Sequence, residues 1–252
     1  MILSALIPVV HLEYGSRSEE NIAINDMKRM ILMTTIYLAG DSTVTDQEHK
    51  PFAGWGQMMQ PFFKAGATIS NHAHSGCSTK SFVVQKRLKK ILEVIKEGDY
   101  LLIQFGHNDE KNNEWYTEPF TTFTEGLKVY IEATREKTAY PVLVTPAFRR
   151  LFSERGILYD THHDYAKAVR KLAIEEHVPL IDLHKRSGDL LESLGAEKSK
   201  DIFLHIEPGI YEQHPDGIED DTHFSEFGAR EMAKLVIAEI RDHVPELIEF
   251  LK

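Results

Sequence analysis

The chain has 252 residues, of which 42% are hydrophobic and 27% charged, with a formal net charge of -10. That length and composition suit one large domain with a substantial core of its own. The acidic balance argues against a nucleic-acid-binding surface, and the single cysteine, Cys77, excludes an intramolecular disulfide and a cysteine-built zinc site.

Met1 to Val10 is apolar, but Pro8 interrupts it and it is far too short to span a bilayer. No basic residue precedes it, and no small-residue cleavage site is clear, so it reads poorly as an export signal. Residues 1–30 are therefore expected to form an extension outside the core, with 31–252 as one domain. The protein is expected in the cytoplasm, with export left open and no membrane partner.

Thr35 to Ala39 reads as a buried strand, too short for a helix of the same apolarity. It ends in Gly40-Asp41-Ser42, where glycine permits a sharp turn. Gly54 opens a short helix through Phe63, and Ala67 to Ala73 is a second strand. After the small-residue turn Gly76-Cys77-Ser78, a helix is predicted with Val84, Leu88, Ile91, Leu92 and Ile95 on one face. Gly98 stops it, and Tyr100 to Phe105 is a third strand, closed by Gly106-His107-Asn108-Asp109. Thr122 to Glu125 has the pattern of a capping box and starts a helix with Phe123, Leu127, Tyr130 and Ile131 on its apolar face. Pro141 to Thr145 is a fourth strand.

A loop with Arg149, Arg150 and Arg155 follows, and Asp160 is expected to cap a helix with Tyr165, Val169, Leu172 and Ala173 on one face. Val178 to Leu183 is the fifth strand and His184 to Leu194 a helix. Lys198 to Asp221 reads as irregular. Ser225 caps the last helix, whose face includes Met232, Leu235, Val236 and Ile240. Strands alternating with helices imply a parallel sheet covered on both faces, with right-handed crossovers.

Ser42, Gly76 and Asn108 each follow a strand and so fall at one edge of that sheet, where open α/β folds bind ligands. Near the C-terminus stands Asp220-Asp221-Thr222-His223. Acyl transfer from a serine needs a base, a group to hold that base, and donors for the oxyanion. His223 can be the base, and Asp220 can reach its other ring nitrogen from three residues earlier in a tight turn. The Ser42 and Gly76 N–H groups and the Asn108 amide can be the donors. No Gly-x-Ser-x-Gly elbow is present.

Five blocks carry a resemblance: Gly40-Asp41-Ser42-Thr43-Val44, Gly54-Trp55-Gly56-Gln57, Asn71 to Gly76, Gln104 to Asp109, and Asp220 to Phe224. In this order and spacing they resemble the SGNH (GDSL-like) hydrolases, and within them the rhamnogalacturonan acetylesterase-like group. The resemblance implies an α/β fold: a flavodoxin-like three-layer α/β/α sandwich with a central five-stranded parallel sheet. It implies a serine esterase that removes O-acetyl groups from pectic oligosaccharides through an acyl-enzyme, with no cofactor or metal. Carried over by position, the triad is Ser42, Asp220 and His223, and the oxyanion hole is Ser42, Gly76 and Asn108. The group commonly has arginine where this chain has Cys77.

Trp55 is a candidate for stacking on a sugar, and Lys80, Arg149 and Arg150 are candidates for pairing with substrate carboxylates. Lys111 and Arg155 lie in adjoining segments. Against these stand plainer readings: Trp55 as core, the arginines as a solvated loop, Asp41 as a brace for the nucleophile turn, and His107 as a structural hydrogen-bonder. Cys77 as a nucleophile and His72 with His74 as metal ligands are weaker alternatives. A lipase or thioesterase of the same superfamily, and a non-catalytic carbohydrate-binding protein on the same fold, are the competing functions.

Overall fold

The computed structural model describes residues 33–252. The extension expected at residues 1–30 lies outside the described residues. Five strands, β1 (Thr34–Ala39), β2 (Ala67–Asn71), β3 (Tyr100–Gln104), β4 (Tyr140–Val144) and β5 (Leu180–Ile181), form one sheet in the order β2-β1-β3-β4-β5. Every pairing in it is parallel. With β1 flanked by β2 and β3, the strand order reverses at β1, and that switch point is where ligands settle in such sheets.

The alternation along each strand divides the core in two. Ile36 and Leu38 of β1 join Tyr100, Leu102, Val142 and Val144 on one face. They pack there against α5 (Leu183–Lys198) and α6 (Glu226–His243) through Leu191, Met232, Val236 and Ile240. Tyr37, Ala39, Leu101 and Ile103 turn to the other face. There they meet α1 (Thr79–Val84), α2 (Arg87–Leu92), α3 (Thr124–Glu136) and α4 (Asp164–Glu175) through Phe82, Leu88, Ile91, Leu127, Tyr130, Val169 and Leu172. Strands buried on both faces are why these segments read as unbroken apolar runs.

Several local expectations change. The helix predicted from Gly54 is two 3-10 turns, Gly56–Met58 and Gln60–Phe62. The helix predicted through Val84 and Ile95 is two helices, because Lys86 takes a left-handed conformation at φ 60°. The break shifts the helical phase, so Leu88, Ile91 and Ile95 stay buried while Val84 is 59% exposed. Thr122 makes no capping box: its hydroxyl accepts from the Glu118 N–H at 2.8 Å within a π-turn, Pro119–Phe123, that precedes α3. Asp160 does not cap α4. Its Oδ1 accepts from the His162 and His163 N–H groups one turn earlier. Ser225 does cap α6, accepting from the Gly228 N–H at 3.0 Å.

The stretch expected to be irregular contains a second sheet, an antiparallel pair of β6 (Phe203–Ile206) and β7 (Ile218–Phe224). Phe203 pairs with Phe224 and Leu204 with Asp220. Neighbours on β6 thus face residues four apart on β7, and Asp221, Thr222 and His223 are thrown out as a bulge.

Lys86 pays the steric cost of a left-handed residue without glycine's freedom. Lys86→Gly should hold or raise stability, by up to about 1 kcal/mol, whereas β-branched Lys86→Val should lower it by a similar amount. Urea unfolding midpoints of the two variants check this.

Candidate active site

The carboxyl ends of β1 and β3 are bound into one unit. Asp41, wholly buried, accepts the Thr43 N–H at 2.9 Å and the Thr43 hydroxyl at 2.8 Å on one carboxylate oxygen. His107 Nδ1 lies 3.2 Å from the other oxygen. Burial pushes the Asp41 carboxyl up, but His107 and Thr43 outweigh it and hold the group below its ordinary value. Gln104, at the end of β3, donates to the Thr43 hydroxyl at 2.7 Å, and its own Oε1 accepts from the Trp55 indole at 2.8 Å. Gly40 is needed for space: a Cβ there would lie 2.6 Å from Val44 Cγ2 and 2.9 Å from the Gln104 carbonyl oxygen. The turn that follows presents Ser42 to a cleft.

His223 arrives from the β7 bulge. Its Nε2 is 2.9 Å from Ser42 Oγ, and its Nδ1 is 2.7 Å from Asp220 Oδ2. The other Asp220 oxygen accepts the Thr222 and His223 N–H groups at 2.7 and 2.8 Å. Burial raises the Asp220 carboxyl, but these hydrogen bonds, that from His223 foremost, bring it down to about 2. An ionised carboxylate can only accept, so Nδ1 carries the proton and Nε2 is left to accept from the serine hydroxyl. Phe52 closes one side of the imidazole, edge-on with ring centroids 5.8 Å apart.

Ser42, Gly76, Asn108 and His223 line one open cleft of about 640 Å³, together with His74, Lys111, Lys50, Phe52 and His214. Gly76 sits at φ +79°, a conformation that favours glycine, with nothing within 4 Å of where a Cβ would be. Among the described residues, neither the Ser42 nor the Gly76 N–H has a protein acceptor. Asn108 Nδ2 donates to the Cys77 carbonyl at 3.0 Å, and Asp109, immediately after it, anchors the loop. The Asp109 carboxylate accepts from the Thr79 N–H and hydroxyl, the Thr117 hydroxyl and the Gly106 N–H. Burial pushes this carboxyl up to about 6 against those donors.

The structure thus brings together the five residues expected at the site, and it corrects the substrate-binding set. Trp55 is 1% exposed and belongs to the core, its indole N–H satisfied by Gln104. Lys80 does not line the cleft: it donates to the Glu114 carbonyl at 3.0 Å and lies over the Trp115 ring. Arg149 pairs with Glu110 and donates to the His107 carbonyl at 3.2 Å. Arg150 is 8% exposed; it pairs with Asp221 at 2.7 Å and donates to the Ala196 carbonyl and the Ser199 hydroxyl. It therefore pins the bulge that carries His223 and is out of a substrate's reach. His72 meets Ser70 Oγ at 3.0 Å, and neither it nor His74 belongs to a ligand-spaced cluster among the described residues. Sequence reasoning missed Lys50, Phe52 and His214; only folding brings them beside Ser42. Lys111 had a signal, standing three residues after Asn108.

Comparison with known proteins matches residues 38–230 to a family model described as the GDSL-like Lipase/Acylhydrolase family. Rhamnogalacturonan acetylesterase RhgT of Bacillus subtilis is 47% identical over 209 residues, covering 82% of this chain and 89% of that protein. Probable rhamnogalacturonan acetylesterase YesY of the same organism is 42% identical over 210 residues, covering 82% and 92%. Among solved structures, the YxiM protein of Bacillus subtilis superimposes with a TM-score of 0.71 at 30% identity. That match covers 83% of this chain and 56% of the YxiM chain, so this chain spans little more than half of that one. A lipase/acylhydrolase from Enterococcus faecalis shares the fold with a TM-score of 0.56 at 20% identity, covering 83% and 96% of the two chains.

Two outcomes follow from the geometry. Cys77 is 1% exposed, its thiol directed at Gln85 and pushed up by burial. Native protein should therefore react with a thiol reagent only slowly, and Cys77→Ser should keep its activity; rapid labelling with loss of activity would contradict this. Asp220, held at about 2, binds fewer protons folded than unfolded between its ordinary value and that one. Its contribution to stability is present above about pH 4 and is lost as pH falls through about 2; because the carboxylate is partly exposed, solvent screening holds it to about 1 kcal/mol. Urea unfolding of the wild type across that window should show this loss on top of the background seen in Asp220→Asn.

Proposed function

We infer the reaction from one premise: the chain belongs to the GDSL-like lipase/acylhydrolase family, whose model matches most of its length. We propose that it is a serine acetylesterase that removes O-acetyl groups from pectic, rhamnogalacturonan-type oligosaccharides. The observation that carries the reading is the hydrogen-bonded line Ser42–His223–Asp220 at 2.9 and 2.7 Å, opening on a cleft with Gly76 and Asn108. The two acetylesterase relatives, and a cleft lined by polar and charged residues with Phe52 as its one large apolar side chain, favour an acetylated sugar over a long-chain lipid.

In this reaction His223 Nε2 takes the Ser42 hydroxyl proton as Oγ attacks the acetyl carbonyl carbon. The carbonyl oxygen becomes an oxyanion facing the Ser42 and Gly76 N–H groups and Asn108 Nδ2. Collapse breaks the bond to the sugar oxygen, which leaves with the proton held on His223. Water then attacks acetyl-Ser42 with His223 again as base, and acetate departs. Asp220 keeps the imidazole in the required tautomer and stabilises it when protonated.

Acetate release from acetylated rhamnogalacturonan fragments, acetylated xylan fragments and an acyl-chain series of p-nitrophenyl esters tests the assignment. Release confined to xylan fragments would move the substrate class, and rates that grow with acyl length would favour a lipase. Ser42→Ala should abolish turnover with the fold intact. Asn108→Ala should lower kcat about 10²–10³-fold with little change in KM, since the amide is placed for the tetrahedral oxygen rather than the flat ester. An unchanged kcat with a raised KM would make Asn108 a substrate-binding residue.

A further inference from the structure

Asn108 has two unlike partners. Its Nδ2 donates to the Cys77 carbonyl at 3.0 Å, and its Oδ1 accepts from the Lys111 ammonium at 2.7 Å. A carbonyl can only accept and an ammonium can only donate. Turning the amide over would set Nδ2 against the ammonium and Oδ1 against the carbonyl, exchanging two hydrogen bonds for two repulsions. The pair therefore fixes which end of the amide is the donor. It also occupies only one of the two Nδ2 hydrogens, leaving the other for the cleft that Asn108 lines with Ser42 and Gly76.

Lys111 reaches this position through the local turn. The Glu110 N–H donates to the Gly106 carbonyl at 3.2 Å, and the Lys111 N–H to the Asn108 carbonyl at 3.4 Å. Residues three apart on such a turn lie on the same side, so the lysine side chain folds back onto the asparagine. An ammonium on the amide oxygen draws electron density from the nitrogen and makes its N–H a stronger donor.

We propose that Lys111 is a positioning residue for the oxyanion hole: its ammonium holds the Asn108 amide donor-outward and strengthens the hydrogen bond from Nδ2 to the tetrahedral oxygen. Lys111 acts through Asn108 and needs no contact with the substrate. The assignment rests on the serine-esterase reading given above.

The test is steady-state kinetics on a small neutral acetyl ester, with Lys111→Met, Lys111→Arg, Asn108→Ala, the Lys111→Met/Asn108→Ala double variant and Ser42→Ala. Lys111 is exposed, so Lys111→Met should leave the thermal midpoint near that of the wild type. It should lower kcat about tenfold, a fraction of what loss of the donor itself costs, at nearly constant KM. Lys111→Arg should recover most of the rate. The double variant should be no slower than Asn108→Ala alone, because the lysine has nothing left to position. An unchanged kcat in Lys111→Met overturns the proposal, and so does a double variant in which the two losses simply multiply. If Lys111→Met raises only KM for a uronate-bearing oligosaccharide, Lys111 is a substrate cation and the proposal falls. Ser42→Ala separates the two levels: if it is inactive while Lys111→Met has wild-type kcat, only the Lys111 assignment fails, whereas full activity in Ser42→Ala removes the serine-esterase reading and this assignment with it.

Discussion

The cleft depends on one buried carboxylate. Asp41 has no exposed surface, and taking an ion out of water costs several kcal/mol unless its oxygens find donors. Thr43 supplies two, and His107 stands at the second oxygen. The result is a brace through side chains: Asp41 to Thr43, Thr43 to Gln104, Gln104 to Trp55. The Thr43–Gln104 and Gln104–Trp55 links join separate parts of the chain, so the turn bearing Ser42 cannot shift without breaking bonds to β3 and, through it, to the segment after β1. A serine held this way has little freedom left to lose, which is what its proposed role as nucleophile needs.

His223 is delivered by an element outside the main sheet, and the proposed reaction needs it to meet Ser42 at hydrogen-bonding distance. Three features set that register. The Ala53 N–H donates to the Phe224 carbonyl at 3.1 Å, tying the segment after the nucleophile turn to the residue after His223. The bulge throws Asp221, Thr222 and His223 off the β6 ladder. Arg150 then holds Asp221 with its side chain, and its backbone N–H donates to the Asp221 carbonyl at 2.9 Å. The Asp220 carboxylate spends one oxygen on the backbone of the bulge and the other on the imidazole. The same group thus shapes the turn and orients the histidine.

What could be read from the sequence follows from the range of the interactions involved. The central strands β1, β3 and β4 were legible because burial on both faces makes them largely continuous apolar runs, and the Ser42, Gly76 and Asn108 positions followed from the ends of the predicted strands. Asp220 and His223 were legible because three residues in a tight turn suffice to join them. The β6–β7 pair was not, since a two-stranded sheet interrupted by Pro208, Gly209, Pro215 and Gly217 has little periodicity to show. The cations were misjudged for a different reason. Whether an arginine faces solvent or a buried carbonyl depends on partners such as Ala196 and Asp221, dozens of residues away. Trp55 is the same case, its fate decided by Gln104 on β3.

The charge of the whole molecule and the charge of the cleft act at different ranges. A net charge of -10 slows the approach of any anionic sugar chain. Salt screens that repulsion over about 8 Å at physiological ionic strength, so it governs encounter more than the bound state. Within the cleft the balance is local and nearly even: Asp46 and Glu48 face Lys50 and Lys111. Lys50 already has an exposed partner in Glu226 at 3.5 Å, and Lys111 is engaged by Asn108. Lys111 is thus committed to the Asn108 amide. A substrate's own carboxylate would have to compete with the Asn108 amide for it.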